Sequence, residues 1–289
     1  MMVKMLRVPG IAAMLLVAAT GLCAAEGEPS RLLTSRWGFT VGGFAADLRT
    51  DAQFSFGRGL GTLFRLEDIT DYTESESVIR ADGFVRFGKR HAFELEMLQI
   101  NRDSRGTLAQ DLEILDRVFT ADFESAFDMS LTKGSYKFSF QNNGTLDAGL
   151  IFGLSVFNFG FEMAGTVEFT DPNGMTTISA AREDTSVIAP VPSAGMFVDY
   201  AITPKFVTRA RAEFFNLESG DFEGRFIEVR WTFDYLFSNV FGVGGGYSST
   251  DMSFSDLGSE PLKVEYRYSG LLFYLSFFFG ESSVGSLAP

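Results

Sequence analysis

His91 is the only histidine in the chain, so any scheme that needs an imidazole base must pass through it. A general base has to reach within hydrogen-bond distance of the proton it removes. His91 instead follows Arg90 in the short polar stretch Gly88-Lys89-Arg90. Serines and threonines are plentiful, but none has a partner placed to activate it. His91 therefore reads as a turn residue, and no catalytic residue is assigned. The single cysteine, Cys23, lies in the N-terminal leader, which leaves no thiolate nucleophile or ligand beyond it. No metal site, cofactor or enzymatic activity is expected.

A second set of side chains is informative through its spacing. Arg80, Asp82 and Arg86, then Glu94 and Glu96, then Arg209, Arg211 and Glu213, then Glu228, Arg230 and Asp234 each recur at even intervals. Five cations face six carboxylates. A wide aqueous channel keeps such groups hydrated, whereas a narrow enclosure must pair them, because an unpaired buried charge costs several kcal/mol. The near-balance favours an internal ion-pair network that fills and rigidifies a lumen; the alternative is a selectivity filter. These eleven residues are the candidate site.

Charges at even spacing imply strands. From Arg225 to Phe237 one parity reads Ile227, Val229, Trp231, Phe233, Tyr235 and Phe237, and the other reads Glu228, Arg230, Thr232 and Asp234. A period of two separates an apolar face from a charged one, where a helix would mix them. Residues 79–87, 91–97 and 206–214 repeat the pattern. The charge-free stretch 148–161 is shorter than the ~20 residues of a helical membrane span, and it too alternates.

Short connections (88–90, 141–144, 203–204, 238–239) alternate with long polar ones (103–123, 161–192, 251–261). Short turns on one side and long loops on the other are typical of transmembrane β-barrels of the outer membrane. Asn143-Gly144-Thr145 matches a glycosylation sequon but reads better as turn chemistry. Asp171-Pro172-Asn173-Gly174 is expected to close a hairpin above the membrane.

Counting back from the C-terminus gives nine strands: 262–279, 239–250, 224–237, 205–217, 193–203, 145–160, 124–140, 90–102 and 77–87. Residues 37–48, 52–57 and 61–67 supply three more. The expected fold is thus all-β, a transmembrane antiparallel up-and-down β-barrel of 12 strands. Ten strands with a distorted first segment is the alternative, because 52–57 is short for a span of ~9 to 11 residues. The apolar residues of 127–131 are odd-numbered and those of 136–140 even-numbered, which predicts a bulge near Gly134, with a second at Ser269-Gly270. Gly242, Gly244 and Gly246, on one face, either leave lumen space or let the neighbouring wall approach.

The ends and the composition agree with export. Lys4 and Arg7, an apolar run over 11–19 and the small residues Cys23-Ala24-Ala25 form a signal peptide over 1–25, leaving 26–289 as a single barrel domain. Lipid modification of Cys23 is a rival reading, opposed by Leu22 where a small residue is wanted. Cleavage after Ala25 leaves 22 Lys plus Arg against 37 Asp plus Glu, a net charge of −15. Such a balance excludes nucleic acid, whose binding rewards basic contact faces. Thirty-two Phe and 30 Gly beside only 2 Trp fit alternating strands better than a soluble core.

The excess acid falls in the loops: Glu67, Asp68, Asp71, Glu74 and Glu76; Asp111, Glu113 and Asp116; Glu183 and Asp184; Glu218, Asp221 and Glu223. Calcium takes several such oxygens. No EF-hand pattern is present, however, and a solvated surface beside lipopolysaccharide and its bridging cations is the better reading.

The last strand, residues 268–279 from Tyr268 to Phe279, resembles the C-terminal assembly signal of outer-membrane proteins, departing from it in the ten residues that follow Phe279. Gly61-Thr62-Leu63-Phe64-Arg65-Leu66-Glu67-Asp68, Val85-Arg86-Phe87-Gly88-Lys89-Arg90-His91, Ile202-Thr203-Pro204-Lys205 and Gly242-Val243-Gly244-Gly245-Gly246-Tyr247 are similar to segments of a poorly characterised family of proteobacterial outer-membrane proteins. The resemblance implies a barrel in the Gram-negative outer membrane and brings no activity with it. Expected partners are outer-membrane lipids and lipopolysaccharide, the barrel-assembly machinery during insertion, and small solutes. A passive small-solute channel or a membrane-stabilising barrel is the expected function. A structural or adhesion barrel acting through its acidic loops is the alternative. A lipid-active enzyme is the remaining one, since related barrel enzymes carry a histidine at the outer rim.

Overall fold

The computed structural model describes residues 28–54, 64–65, 75–107, 112–114, 117–170, 176–219, 222–256 and 262–281. The leader over 1–25 and the turn 171–174 lie outside the described residues. Most side chains of the acidic loops do as well.

Ten long strands form the wall: β1 Ser35–Phe54, β2 Ser75–Phe87, β3 His91–Thr107, β4 Arg117–Asn142, β5 Leu146–Thr170, β6 Thr176–Thr203, β7 Phe206–Ser219, β8 Phe222–Leu236, β9 Phe241–Asp256 and β10 Leu262–Glu281. Each pairs antiparallel with its neighbours in sequence. The ladder between β1 and β10, from Trp37↔Phe279 to Phe54↔Leu262, closes the barrel. The fold is therefore an all-β, up-and-down barrel of ten strands, the smaller of the two expected counts. Residues 37–48 and 52–54 belong to one continuous strand of 20 residues. The segment over 61–67 contributes only Phe64–Arg65 among the described residues, as a short rung on Asp51 and Ala52. A second short rung, Leu112–Ile114, pairs with the start of β4.

Alternation sorts every strand into two faces. Outward residues such as Trp37, Phe39, Val85, Phe93, Leu95, Phe152, Leu154, Trp231, Phe233, Leu271 and Phe273 are large, apolar and exposed. They form a belt that suits lipid. Stacked pairs tie the closing seam, with Trp37 on Phe279 at 4.5 Å and Phe39 on Phe277 at 4.8 Å between ring centroids. Gln99, Asn101, Asp128 and Asn158, also outward and exposed, end the belt on its far side.

The short turns and both described chain ends share one rim, the periplasmic one by the usual orientation of such barrels. At Asn143-Gly144, Gly144 has φ +85°, a conformation that favours glycine. The Asn143 side-chain oxygen accepts hydrogen bonds from the backbone N–H groups of Thr145 and Leu146. The other rim is tall. β4, β5 and β6 are 26, 25 and 28 residues long, well beyond the ~9 to 11 that span a bilayer. Residues 161–192, expected as a loop, continue β5 and β6 as a paired hairpin from Phe161↔Thr185 to Thr170↔Thr176. β6 pairs with β7 only below Ala194↔Phe214. Pro190 and Pro192 lie just above that point and have no N–H to give to a ladder.

Two expected bulges are absent. The ladders on either side of Gly134 run without a shift from Thr107↔Asp122 to His91↔Phe138 and from Phe123↔Gly165 to Ser139↔Gly149. Ser269 and Gly270 sit in regular register with Ser249 and Ser248. The parity of β4 does not switch between Phe127 and Ser139. Phe127, Met129 and Leu131 point inward, because the lumen at that height is itself apolar. The shifts that do occur lie at 119–123, 139–141 and 201–203.

Candidate functional site

The lumen is built in three layers. At the periplasmic mouth a segment of the chain turns inward and fills it. Residues Arg31–Thr34 form a single helical turn, α1, whose Leu32 and Leu33 are buried against Ala201, Val207, Leu236 and Phe278. The Ser30 N–H donates to the Gly144 carbonyl and its hydroxyl to the Pro204 carbonyl, both at 2.9 Å. Arg86 reaches in from β2 and donates through Nη1 to the carbonyls of Leu33 at 2.8 Å and of Leu32 and Ser35 at 3.3 Å. Its Nη2 pairs with Asp147 at 3.1 Å. These carbonyls end a helix too short to satisfy them internally, so a guanidinium with several donors is the side chain the position requires.

Above this plug lies the ionic layer. Glu96 on β3 is its hub, meeting Arg80 at 2.6 Å, Arg230 at 2.9 Å and Arg211 at 3.0 Å. Arg80 also holds Asp82 at 3.2 Å, and Arg230 holds Glu228 at 2.6 Å. Lys133 of β4 bridges Glu213 of β7 and Glu228 of β8, each at 2.7 Å, and the Ser193 hydroxyl donates to Glu213 at 2.7 Å. Glu94 links Arg211 at 3.1 Å to Lys137 at 3.2 Å, and Lys137 continues to Asp199 at 3.1 Å. Arg209 faces Asp234 at 3.4 Å. The pairs join β2, β3 and β4 to β7 and β8, so they cross the lumen instead of running along one wall.

All eleven residues singled out from the sequence point inward, and each belongs to an ion pair. The structure adds Lys133, Lys137, Asp147 and Asp199. Under a bulge at Gly134, Lys133 shares the outward parity of the apolar residues 127–131; with the register unbroken there it faces the lumen together with Lys137. The alternation Lys133, Ser135, Lys137, Ser139 against Tyr136, Phe138, Phe140 was the available signal. Asp147 and Asp199 face each other across β5 and β6 and are neutralised by Arg86 and Lys137, which only the register brings near.

The third layer is apolar and aromatic. Phe44, Leu98, Ile100, Phe127, Met129, Leu131, Phe157, Val191, Phe226, Met252, Tyr266, Tyr268 and Leu272 form one buried cluster above the charges. Phe157 stacks on Phe159 at 5.9 Å and Phe44 meets the edge of Tyr268 at 5.8 Å. The glycine stripe of β9 admits the neighbouring wall: a Cβ on Gly244 would lie 2.2 Å from the Tyr274 ring. Among the described residues a cavity of about 100 Å³ lies in the ionic layer, beside Thr40, Asp82, Glu94, Ser135 and Tyr274. It has room for ordered water.

His91 is on the outer face of the periplasmic rim. Its Nδ1 lies 2.6 Å from the Tyr136 hydroxyl, and its ring packs with Phe138. No lumen charge contacts it.

Comparison with solved structures places this architecture. The barrel is similar to the outer-membrane protease OmpT of Escherichia coli, with a TM-score of 0.55 over 84% of this chain and 96% of that one, at 11% identity. Weaker matches include the toluene transporter TodX of Pseudomonas putida, with a TM-score of 0.34 at 9% identity over 88% of this chain and 94% of that one. A Pseudomonas aeruginosa FadL homologue gives 0.36 at 9% over 84% and 90%. No protein-family model and no curated protein sequence matches the chain. The fold is that of Gram-negative outer-membrane β-barrels, and the exposed apolar belt faces the lipid of that membrane.

Proposed function

We propose that the protein is a closed, membrane-stabilising barrel: a rigid base in the outer membrane that holds up the tall sheet of β4, β5 and β6 for contacts outside the cell. One observation carries this reading, the filling of the lumen at three successive heights by the plug, the ion pairs and the aromatic cluster. A passive channel needs a continuous aqueous path, and each of the three filled layers lies across such a path. His91, hydrogen-bonded to Tyr136 and packed on Phe138 at the periplasmic rim, is read as a structural residue, and no enzymatic role is proposed for the protein.

Thiol labelling tests the proposal. Ser135→Cys, made with Cys23→Ser, puts a thiol beside the central cavity. In the folded barrel a membrane-impermeant maleimide should leave it unlabelled from either side of a vesicle, and unfolding should expose it. Rapid labelling of the folded barrel would show an open lumen and overturn the reading.

A further inference from the structure

We propose that Arg225 and Arg267, on the outer wall of β8 and β10, form a binding site for the phosphate of an outer-leaflet glycolipid. Both side chains point away from the lumen, as do Trp231 of β8, Tyr247 of β9, and Leu271 and Phe273 of β10. They converge on one carboxylate. Asp251 of β9, between them, accepts from Arg267 Nε at 2.8 Å and Nη2 at 2.5 Å, and from Arg225 Nη2 at 3.3 Å. Both guanidiniums bind the one carboxylate of Asp251, and Arg225 and Arg267 stay 46% and 58% exposed. Arg225 Nε and Nη1 and Arg267 Nη1 have no partner among the described residues. Planar N–H donors of this kind match phosphate oxygens.

Height in the membrane identifies the ligand. The periplasmic edge of the belt here is the row Phe237, Phe241 and Phe277, with Phe237 5.9 Å and Phe277 5.5 Å from Phe241 between ring centroids. Ten residues separate Phe241 from Asp251 on β9 and Phe277 from Arg267 on β10. At ~3.3 Å per residue and a tilt of ~45°, that is a rise of about 23 Å, close to the height of an apolar barrel band. The row Trp231, Tyr247 and Leu271 lies directly beneath, with Val229, Ser249 and Ser269 between. The arginines therefore sit at the headgroup level of the outer leaflet, where acyl chains end and phosphates begin. Glu223 and Glu265 lie two residues farther out on the same strands, at the level of the sugars. In a chain with a formal charge of −13, two cations at this boundary select for an anionic headgroup. The inference does not depend on whether the lumen is closed.

The test uses the refolded full chain in a neutral detergent, with purified lipopolysaccharide, the same lipid enzymatically dephosphorylated, and phosphatidylglycerol as probes. Binding is read by native mass spectrometry, and folding by heat-modifiable gel mobility. Arg225→Gln with Arg267→Gln should fold and bind the phosphorylated glycolipid about tenfold or more weakly. Asp251→Asn, which frees both guanidiniums, should bind at least as well as the parent. A merely structural triad would lose the same contacts in both variants and bind alike. Equal binding by the double variant and the parent, or equal binding of the dephosphorylated lipid or of phosphatidylglycerol, would overturn the proposal.

Discussion

Replacing Lys133 by methionine removes a cation that bridges two buried carboxylates of the ionic layer, Glu213 and Glu228. Lys133 is 1% exposed, and Glu213 and Glu228 are 0% and 2% exposed, each with an oxygen 2.7 Å from its Nζ. After the substitution Glu228 keeps Arg230 at 2.6 Å, but Glu213 keeps only the Ser193 hydroxyl. A buried pair broken from one side costs about 3–5 kcal/mol, because the surviving charge is left uncompensated. The same pair in a water-filled pore would be worth no more than about 1 kcal/mol. Urea unfolding of the barrel in lipid or detergent, with linear extrapolation, separates the two cases. Lys133→Met with Glu213→Gln should recover most of the loss, since the orphaned charge goes with its partner. A loss of less than about 1 kcal/mol in the single variant would refute the reasoning, for it would mean that water, not protein, solvates Glu213.

Two further substitutions test the other layers. Phe157→Ala should cost about 3–5 kcal/mol by the same unfolding assay, as for a buried aromatic truncated in a packed core, whereas a ring lining an aqueous vestibule would cost little. Gly244→Ala should destabilise by about 1–3 kcal/mol through overpacking against Tyr274, and Tyr274→Ala in the same chain should relieve that clash; a Gly244→Ala barrel as stable as the parent would remove the close wall contact from the account.

Much of this architecture is legible because a β-strand has an exact period. The alternation around Trp231 separates lipid face from lumen face without any tertiary knowledge, and the same parity carries Arg80, Glu96 and Arg211 inward. What alternation does not reveal is how the lumen changes along its height. Phe127, Met129 and Leu131 have the same apolar character as the lipid-facing residues of other strands, so a bulge was inferred where the lumen is simply apolar. With the register unbroken at Gly134, the inward parity of 127–131 runs on through Lys133 to Lys137. The plug escaped for a different reason. Ser30-Arg31-Leu32-Leu33-Thr34 is too short for any periodicity, and its partners Arg86, Gly144 and Pro204 are distant in sequence. Twelve and ten strands are hard to tell apart for a related reason: the polar residues Arg49, Thr50 and Asp51 break the apolar pattern of β1, although its pairing with β10 continues to Phe54.

Single-channel recording of the refolded chain in a planar bilayer tests the closed lumen most directly. Protein shown to be folded should give no stable conductance steps, and a chain lacking residues 26–34 should stay silent too, because the aromatic layer still closes the path. Regular steps from the full chain, altered in size or ion selectivity by Arg209→Gln and Arg230→Gln, would contradict the account and make the ionic layer the lining of a pore.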